Sequence, residues 1–149
     1  MLDNTVTLHR ILAASPEKVF KAFTDADAMA SWLPPYGFVC KVHNMDARIG
    51  GTYKMSFVNF STGSSHSFGG KYLEIIPNEL LKYTDTFDDP NLPGQMITTI
   101  ILRKVLCGTE ITATQEGIPD SIPNEMCYLG WQESLEKLKK LVEPNIPDA

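Results

Sequence analysis

The chain has 149 residues, of which 43% are apolar and 21% charged. That is the length of about one domain of ~100–200 residues with an ordinary globular composition, so a disordered tail, a coiled coil and a collagen-like rod are excluded and residues 1–149 read as a single domain. A chain of this size buries roughly 68–70% of its unfolded surface, enough for a core without disulfide or metal staples.

Thirteen Lys and Arg against eighteen Asp and Glu leave a net charge of -5 and a pI near 5.1. Such a surface repels phosphate backbones, which excludes nucleic acid as a partner. The basic cluster Lys137, Lys139 and Lys140 is interleaved with Glu133, Glu136 and Glu143, the spacing of ion pairs on a solvated helix face. Cys40, Cys107 and Cys127 are odd in number and form no C-x-x-C, which fits a reducing compartment. The opening Met-Leu-Asp-Asn-Thr lacks the basic and apolar regions of a leader. No apolar stretch approaches the ~20 residues that cross a bilayer. The expectation is a soluble, cytoplasmic protein without membrane insertion.

Thr5 to Leu12 alternates, with Val6, Leu8 and Arg10 against Thr7, His9 and Ile11, and predicts a strand. Ser15-Pro16 marks a helix start, where Ser15 caps and the missing N–H of Pro16 costs nothing. Val19, Phe20 and Phe23 form its apolar stripe and Asp25 closes it. Asp27 to Leu33 predicts a second short helix, ended by Pro34-Pro35 because a residue before proline leaves the α region. Period two then takes over. Strands are expected at Phe38 to Asp46, at Thr52 to Asn59 with Tyr53, Met55 and Phe57 on one face, at Ser67 to Ile76, and at Leu80 to Phe87 with Leu81, Tyr83 and Phe87 on one face. Gly50-Gly51 and Pro77-Asn78 are turns. After a loop from Asp88 to Gly94, Met96 to Val105 and Thr109 to Gln115 predict a hairpin around Cys107-Gly108. Counted as five consecutive antiparallel strands at roughly ten-residue spacing, they predict a meander that curls.

From Ser121 or Pro123 to Val142 the period changes. Cys127, Trp131, Leu135, Leu138, Leu141 and Val142 recur at helical spacing, and Pro144 stops the pattern. At 1.5 Å per residue a ~20-residue helix is ~30 Å long, the breadth of a small sheet, and it is expected to lie across the concave face. Strand, two short helices, antiparallel strands and one long helix make an α+β domain. The tapered gap between a twisted sheet and such a helix is where concave, mostly apolar ligand sites form.

Five strings go beyond architecture: Ala14-Ser15-Pro16-Glu17-Lys18-Val19-Phe20-Lys21-Ala22-Phe23-Thr24-Asp25 with Trp32; Met45-Asp46-Ala47-Arg48-Ile49-Gly50-Gly51; Gly70-Lys71-Tyr72-Leu73-Glu74-Ile75-Ile76-Pro77; Gly108-Thr109-Glu110-Ile111-Thr112; and Gly130-Trp131-Gln132-Glu133-Ser134-Leu135-Glu136-Lys137-Leu138. In this order they resemble small bacterial and archaeal proteins similar to the C-terminal domain of the activator of the Hsp90 ATPase, within the START-like (Bet v 1-like, SRPBCC) superfamily. The resemblance runs from about Val6 to Val142. It implies the helix-grip fold, a curved antiparallel sheet wrapped around a long C-terminal helix with two short helices after the first strand. It also implies three kinds of function. Members of the superfamily bind lipids, hormones or polyketides, some cyclise or hydrolyse them, and the Hsp90 activator itself is an interaction module. A homodimer and a chaperone partner follow from the resemblance alone.

His9, His43 and His66 lack the neighbours of a zinc site, and there is no G-x-S-x-G elbow, phosphate loop or H-E-x-x-H; no metal, cofactor or catalytic residue is assigned. His43 is a general base if it faces a pocket and otherwise a structural or exposed strand histidine. Cys107 falls in a turn and Cys127 on the apolar stripe, each without the base that makes a thiolate. Asp46 and Arg48 read as a pair fixing the Gly50-Gly51 turn. Glu74 shares a strand with Tyr72 and is the acidic residue whose inward orientation would make it a polar anchor.

The candidate site is therefore aromatic and thioether. Trp32, Tyr53, Met55, Phe57, Tyr72 and Tyr83 contribute from the first two thirds of the chain. Phe87, Met96, Thr112, Met126, Gly130 and Trp131 contribute from the rest. Buried phenols need partners, and Thr112 and Thr114 supply hydroxyls on a neighbouring strand. Gly130 in mid-helix costs about 1 kcal/mol relative to Ala, which implies a close approach of the backbone to the sheet or to a bound molecule. The expected function is binding of a small hydrophobic molecule, lipid- or polyketide-like, without turnover. The rivals are the interaction module and a cyclase- or hydrolase-like enzyme using the tyrosines, Glu74 or His43.

Overall fold

Asp25 ends one helix and begins the next. In the computed structural model, which describes residues 4–148, α1 (Pro16–Thr24) starts at Ser15, whose Oγ accepts the Lys18 N–H at 3.2 Å. Asp25 is the C-cap of α1, and its Oδ1 accepts the Ala28 N–H at 3.0 Å as the N-cap of α2 (Ala26–Trp32). Sharing one cap sets the two helices at an angle with no linker between them. Residues 1–3, on which the reading of the N-terminus partly rests, and residue 149 lie outside the described residues.

The strands are β1 (Val6–Leu12), β2 (Phe38–Met45), β3 (Thr52–Asn59), β4 (Ser65–Ile76), β5 (Leu80–Phe87), β6 (Met96–Val105) and β7 (Gly108–Glu116). They form one antiparallel seven-stranded sheet in the order β1-β7-β6-β5-β4-β3-β2. The meander thus has six strands rather than the expected five, and β1 extends it by pairing with β7. The sheet curls around α3 (Asn124–Val142), giving the α+β helix-grip architecture.

Strict alternation decides which side chains face α3. Tyr53 and Met55 on β3, Leu81 and Tyr83 on β5, Met96, Thr98 and Ile100 on β6, and Ile111 and Ala113 on β7 are all buried. On β4 the alternation breaks. A bulge between Tyr72 and Glu74 turns two consecutive residues, Leu73 and Glu74, to solvent and restores the inward phase at Ile75, opposite Leu81. Glu74 therefore does not share the inner face with Tyr72, and it is not a cavity anchor. An inserted residue reverses the facing of everything after it.

α3 grips the sheet by one end. Its buried residues, Trp131, Ser134, Leu135, Leu138 and Val142, all lie in its C-terminal two thirds; Leu141, on the predicted stripe, is exposed. The same stretch of helix is tied to the α2–β2 connection. Ser134 Oγ donates to the Leu33 carbonyl, Lys137 Nζ donates to the Pro34 carbonyl at 2.9 Å, and Glu133 Oε1 accepts the Tyr36 N–H at 3.0 Å. Carbonyls left over where α2 stops are thus satisfied by α3 side chains. Lys137 departs from the expected ion-pair pattern, while Lys139 does pair with Glu143 at 3.9 Å. At the Gly50-Gly51 turn, Arg48 Nε meets Asp46 Oδ2 at 2.7 Å, the structural pairing expected there.

Gly70 lies across from Tyr53 in the β3–β4 ladder. A Cβ at Gly70 would stand 1.9 Å from the Thr84 carbonyl oxygen, backbone that cannot step aside. Gly70→Ala is expected to lower stability by roughly 1–3 kcal/mol, the usual effect of overpacking. Urea denaturation measures it, and an unchanged midpoint would refute the crowding.

Candidate functional site

The buried residues of α3 begin at Trp131, and its first turns, where Cys127 packs only partly against the core, roof a space above the sheet. The space below is a cavity of about 310 Å³, at the low end of the ~300–1,000 Å³ usual for ligand sites. The floor is the inner face of β3 to β6 with Gln115 from β7. The roof is α3 from Met126 to Ser134, joined by Leu33 and Pro35 from the α2–β2 connection.

Two aromatic layers build the floor. In one, Tyr53 lies 5.7 Å from Tyr72 and 5.6 Å from Tyr83 between ring centroids, and Tyr72 lies 6.1 Å from Tyr83. In the other, Phe68 meets Phe57 edge-on at 4.8 Å and Phe87 at 6.4 Å. These are favoured edge and tilted contacts. Met55 and Met96 from the sheet, Met29 from α2 and Met126 from α3 also line the cavity.

The polar groups are few. Tyr53 Oη donates to the Thr84 carbonyl at 2.8 Å. Trp131 Nε1–H donates to Gln115 Oε1 at 3.1 Å, which fixes the indole against the sheet. Asp85 Oδ1 is sealed from water yet has no hydrogen-bond partner, a condition shared among the described residues only by Thr98 Oγ1. His66 is exposed at the mouth.

Of the residues proposed from sequence, Tyr53, Met55, Phe57, Tyr72 and Tyr83 lie on the wall, as do Phe87, Met96, Met126, Gly130 and Trp131. Trp32 does not. It is fully buried between the helices, 4.7 Å from the Phe23 ring, with its Nε1–H given to the Ala22 carbonyl at 2.8 Å. Thr112 points away because its neighbours Ile111 and Ala113 take the inner face. It pairs with His9 and Ile101 on the outer side. Gly130 borders the cavity for a different reason than expected: a Cβ there would meet only Pro35 Cγ, at 3.9 Å. No close backbone approach requires glycine, and its missing side chain simply leaves room. Sequence reasoning missed Phe68, Asp85 and Gln115. Asp85 sits between Tyr83 and Phe87 in a strand already assigned to one face, so the alternation itself carried the signal.

Comparison with known proteins places this architecture. The family described as Activator of Hsp90 ATPase homolog 1-like protein matches residues 13–143. The chain belongs to that family. It is 58% identical to the crystal structure of protein CV1439 from Chromobacterium violaceum, covering 97% of this chain and 100% of that one with a TM-score of 0.95. A protein from Rhodobacter sphaeroides shares the fold at 19% identity, with 94% and 92% of the two chains covered and a TM-score of 0.83. Protein NE0264 from Nitrosomonas europaea does so at 21% identity, 95% coverage of each and a TM-score of 0.75. No curated protein matches. The fold is consistent with a ligand-binding domain.

In this Hsp90-activator-like domain, burial decides the chemistry of the wall. It pushes the phenols of Tyr53 and Tyr83 up, helped by the Asp85 charge in both, and that of Tyr72 up to about 12. All three are neutral hydroxyls. Burial also raises the Cys127 thiol, the opposite of what an attacking thiolate needs. His43 is exposed on the other side of the sheet, its Nε2 2.7 Å from Ser56 Oγ, so it is no general base for the cavity. Among the described residues no group of His, Cys, Asp and Glu is placed to hold a metal ion, and no helix is long and apolar enough to cross a membrane.

Asp85 is the titratable group that burial changes most usefully. Desolvation lifts its carboxyl from 3.8 to about 7, against a smaller opposing effect of the Tyr53 hydroxyl. A folded pKa above the unfolded one means the native state holds a proton the unfolded chain releases. Stability should therefore fall as pH rises from about 4 to 7, by a few kcal/mol at most. Asp85→Asn should flatten that decline in urea denaturation run across this range; an equal slope in both proteins would show that Asp85 is not desolvated. Separately, Gly130→Ala should raise stability by about 1 kcal/mol, or ~2–4 °C in a thermal melt, since the added methyl meets only ordinary contact.

Proposed function

We propose that this domain binds a small, largely hydrophobic molecule, lipid- or polyketide-like, in the cavity between the sheet and α3, without chemical turnover. The observation that carries the reading is the cavity wall: about 310 Å³ lined by aromatic and thioether side chains, with a handful of fixed polar groups. Concave apolar sites with a few placed polar groups are the usual form of ligand pockets. The phenols held neutral and the thiol held protonated support binding over covalent chemistry. An Hsp90-type interaction role would use an outer surface rather than this cavity.

Native mass spectrometry of the protein as purified tests the reading directly, with a retained small molecule as the expected result. Gly130→Leu places a side chain into the open space beneath α3. It should cut the occupied fraction by at least about tenfold, equivalent to ~1.4 kcal/mol of binding, while circular dichroism stays native. Undiminished occupancy in Gly130→Leu would overturn the cavity as the binding site.

A further inference from the structure

We infer that the molecule held in the cavity is an apolar amine, its ammonium seated against Asp85 beside the rings of Tyr53, Tyr72 and Tyr83. This deepens the cavity-binding reading and rests on it.

Charge sign comes first. The titratable groups on the wall are Tyr53 from β3, His66 and Tyr72 from β4, Tyr83 and Asp85 from β5, and Cys127 from α3; β6 and β7 present Met96 and Gln115. No lysine or arginine lines it. A ligand carboxylate or phosphate would enter a low-dielectric space with an acid and no fixed cation, which is strongly unfavourable. A cation meets the reverse situation.

The second observation is the orphaned acceptor. Asp85 Oδ1 is buried without a donor, and the Tyr53 hydroxyl offsets the desolvation of the carboxyl only in part. Buried polar atoms normally have partners, so Oδ1 is an acceptor open to a donor from outside the chain. Burial raises the carboxyl's pKa to about 7, the direction that desolvation gives.

The third is the aromatic surround. Asp85 acts electrostatically on Tyr53 and on Tyr83, which places both phenols beside it, and Tyr72 lies within 6.1 Å of Tyr83 by ring centroids. Grouped ring faces attract a desolvated ammonium by ~0.5–2 kcal/mol each. A neutral alcohol gains none of that. Volume fixes the size: at ~30 Å³ per water-sized unit, 310 Å³ holds a guest of about ten heavy atoms.

Three matched probes decide the matter: n-octylamine, octan-1-ol and octanoate, titrated calorimetrically into the full chain at pH 8. The amine should bind at least about tenfold tighter than the alcohol, and octanoate should give no measurable heat. Asp85→Asn, checked for folding by thermal melt, should weaken amine binding at least about tenfold and leave the alcohol's affinity unchanged.

A second measurement needs no variant. The amine stays charged from pH 8 to 5, near a lysine's pKa of ~10.4, whereas Asp85 gains a proton. Below about 7 each pH unit lowers the ionised share about tenfold, so amine binding should weaken by up to about 100-fold at pH 5. The alcohol should show no such trend. His66→Gln should keep the dependence.

Alcohol or octanoate binding as tightly as the amine overturns the inference and leaves the cavity reading intact. So does amine binding that is undiminished in Asp85→Asn, or a pH dependence that disappears in His66→Gln. Failure of all three probes to bind would instead remove the cavity reading itself.

Discussion

The site depends on how α3 is fastened. The helix packs on the sheet through Trp131, Leu135, Leu138 and Val142. It is pinned along the same stretch to the carbonyls of Leu33 and Pro34 and to the Tyr36 amide. Two consecutive prolines end α2 and donate no hydrogen bonds of their own, so that connection offers acceptors for α3 to use. Anchored there, with Cys127 packing only partly against the core nearer its N-terminus, the helix spans the curled sheet and roofs the space beneath its first turns.

What fills the wall follows from the pleat. Seven strands present alternate residues inward, and six of those from β3 to β5 that line the cavity are the aromatic Tyr53, Phe57, Phe68, Tyr72, Tyr83 and Phe87. These rings meet in edge and tilted contacts, the arrangements that aromatic quadrupoles favour. The result is an apolar floor whose phenol oxygens stay neutral. Into that floor the chain places one carboxyl, on β5, with no basic neighbour on the wall. Trp131 is the point where roof and floor are joined, through its hydrogen bond to Gln115.

Much of this was legible in the residues. The Ser15 and Asp25 caps, the proline stop after α2, the period-two strands and the helical stripe from Cys127 to Val142 located every element to within a few residues. Most of the aromatic and methionine wall was named in advance for the same reason, since alternation within one strand is a local property. The errors have non-local causes. The orientation of Glu74 is left open by the sequence because the bulge between Tyr72 and Glu74 is set by the partner strand. Trp32 was assigned to the cavity for its size, but Phe23 and the Ala22 carbonyl claim it first. Thr112 was assigned by its hydroxyl rather than by its phase relative to Ile111. Asp85 shares the phase of Tyr83 and Phe87, so its inward facing was available from the alternation, whereas its burial needed the rest of the fold. Gly130 was noticed for a sound reason, its rarity in mid-helix, yet its role as an opening needed the position of Pro35.

The methionines of the wall have a consequence for selectivity. Unbranched thioether chains with three rotatable bonds re-pack at little expense, and Met29, Met55, Met96 and Met126 line the cavity together with the rigid aromatic rings. Shape is therefore held firmly where the rings are and loosely where the sulfurs are. A lining of this kind discriminates poorly between guests of different outline and well between guests of different polarity. Its vulnerability is chemical: peroxide turns a thioether into a polar sulfoxide, and a pliable greasy lining would then become a wet one.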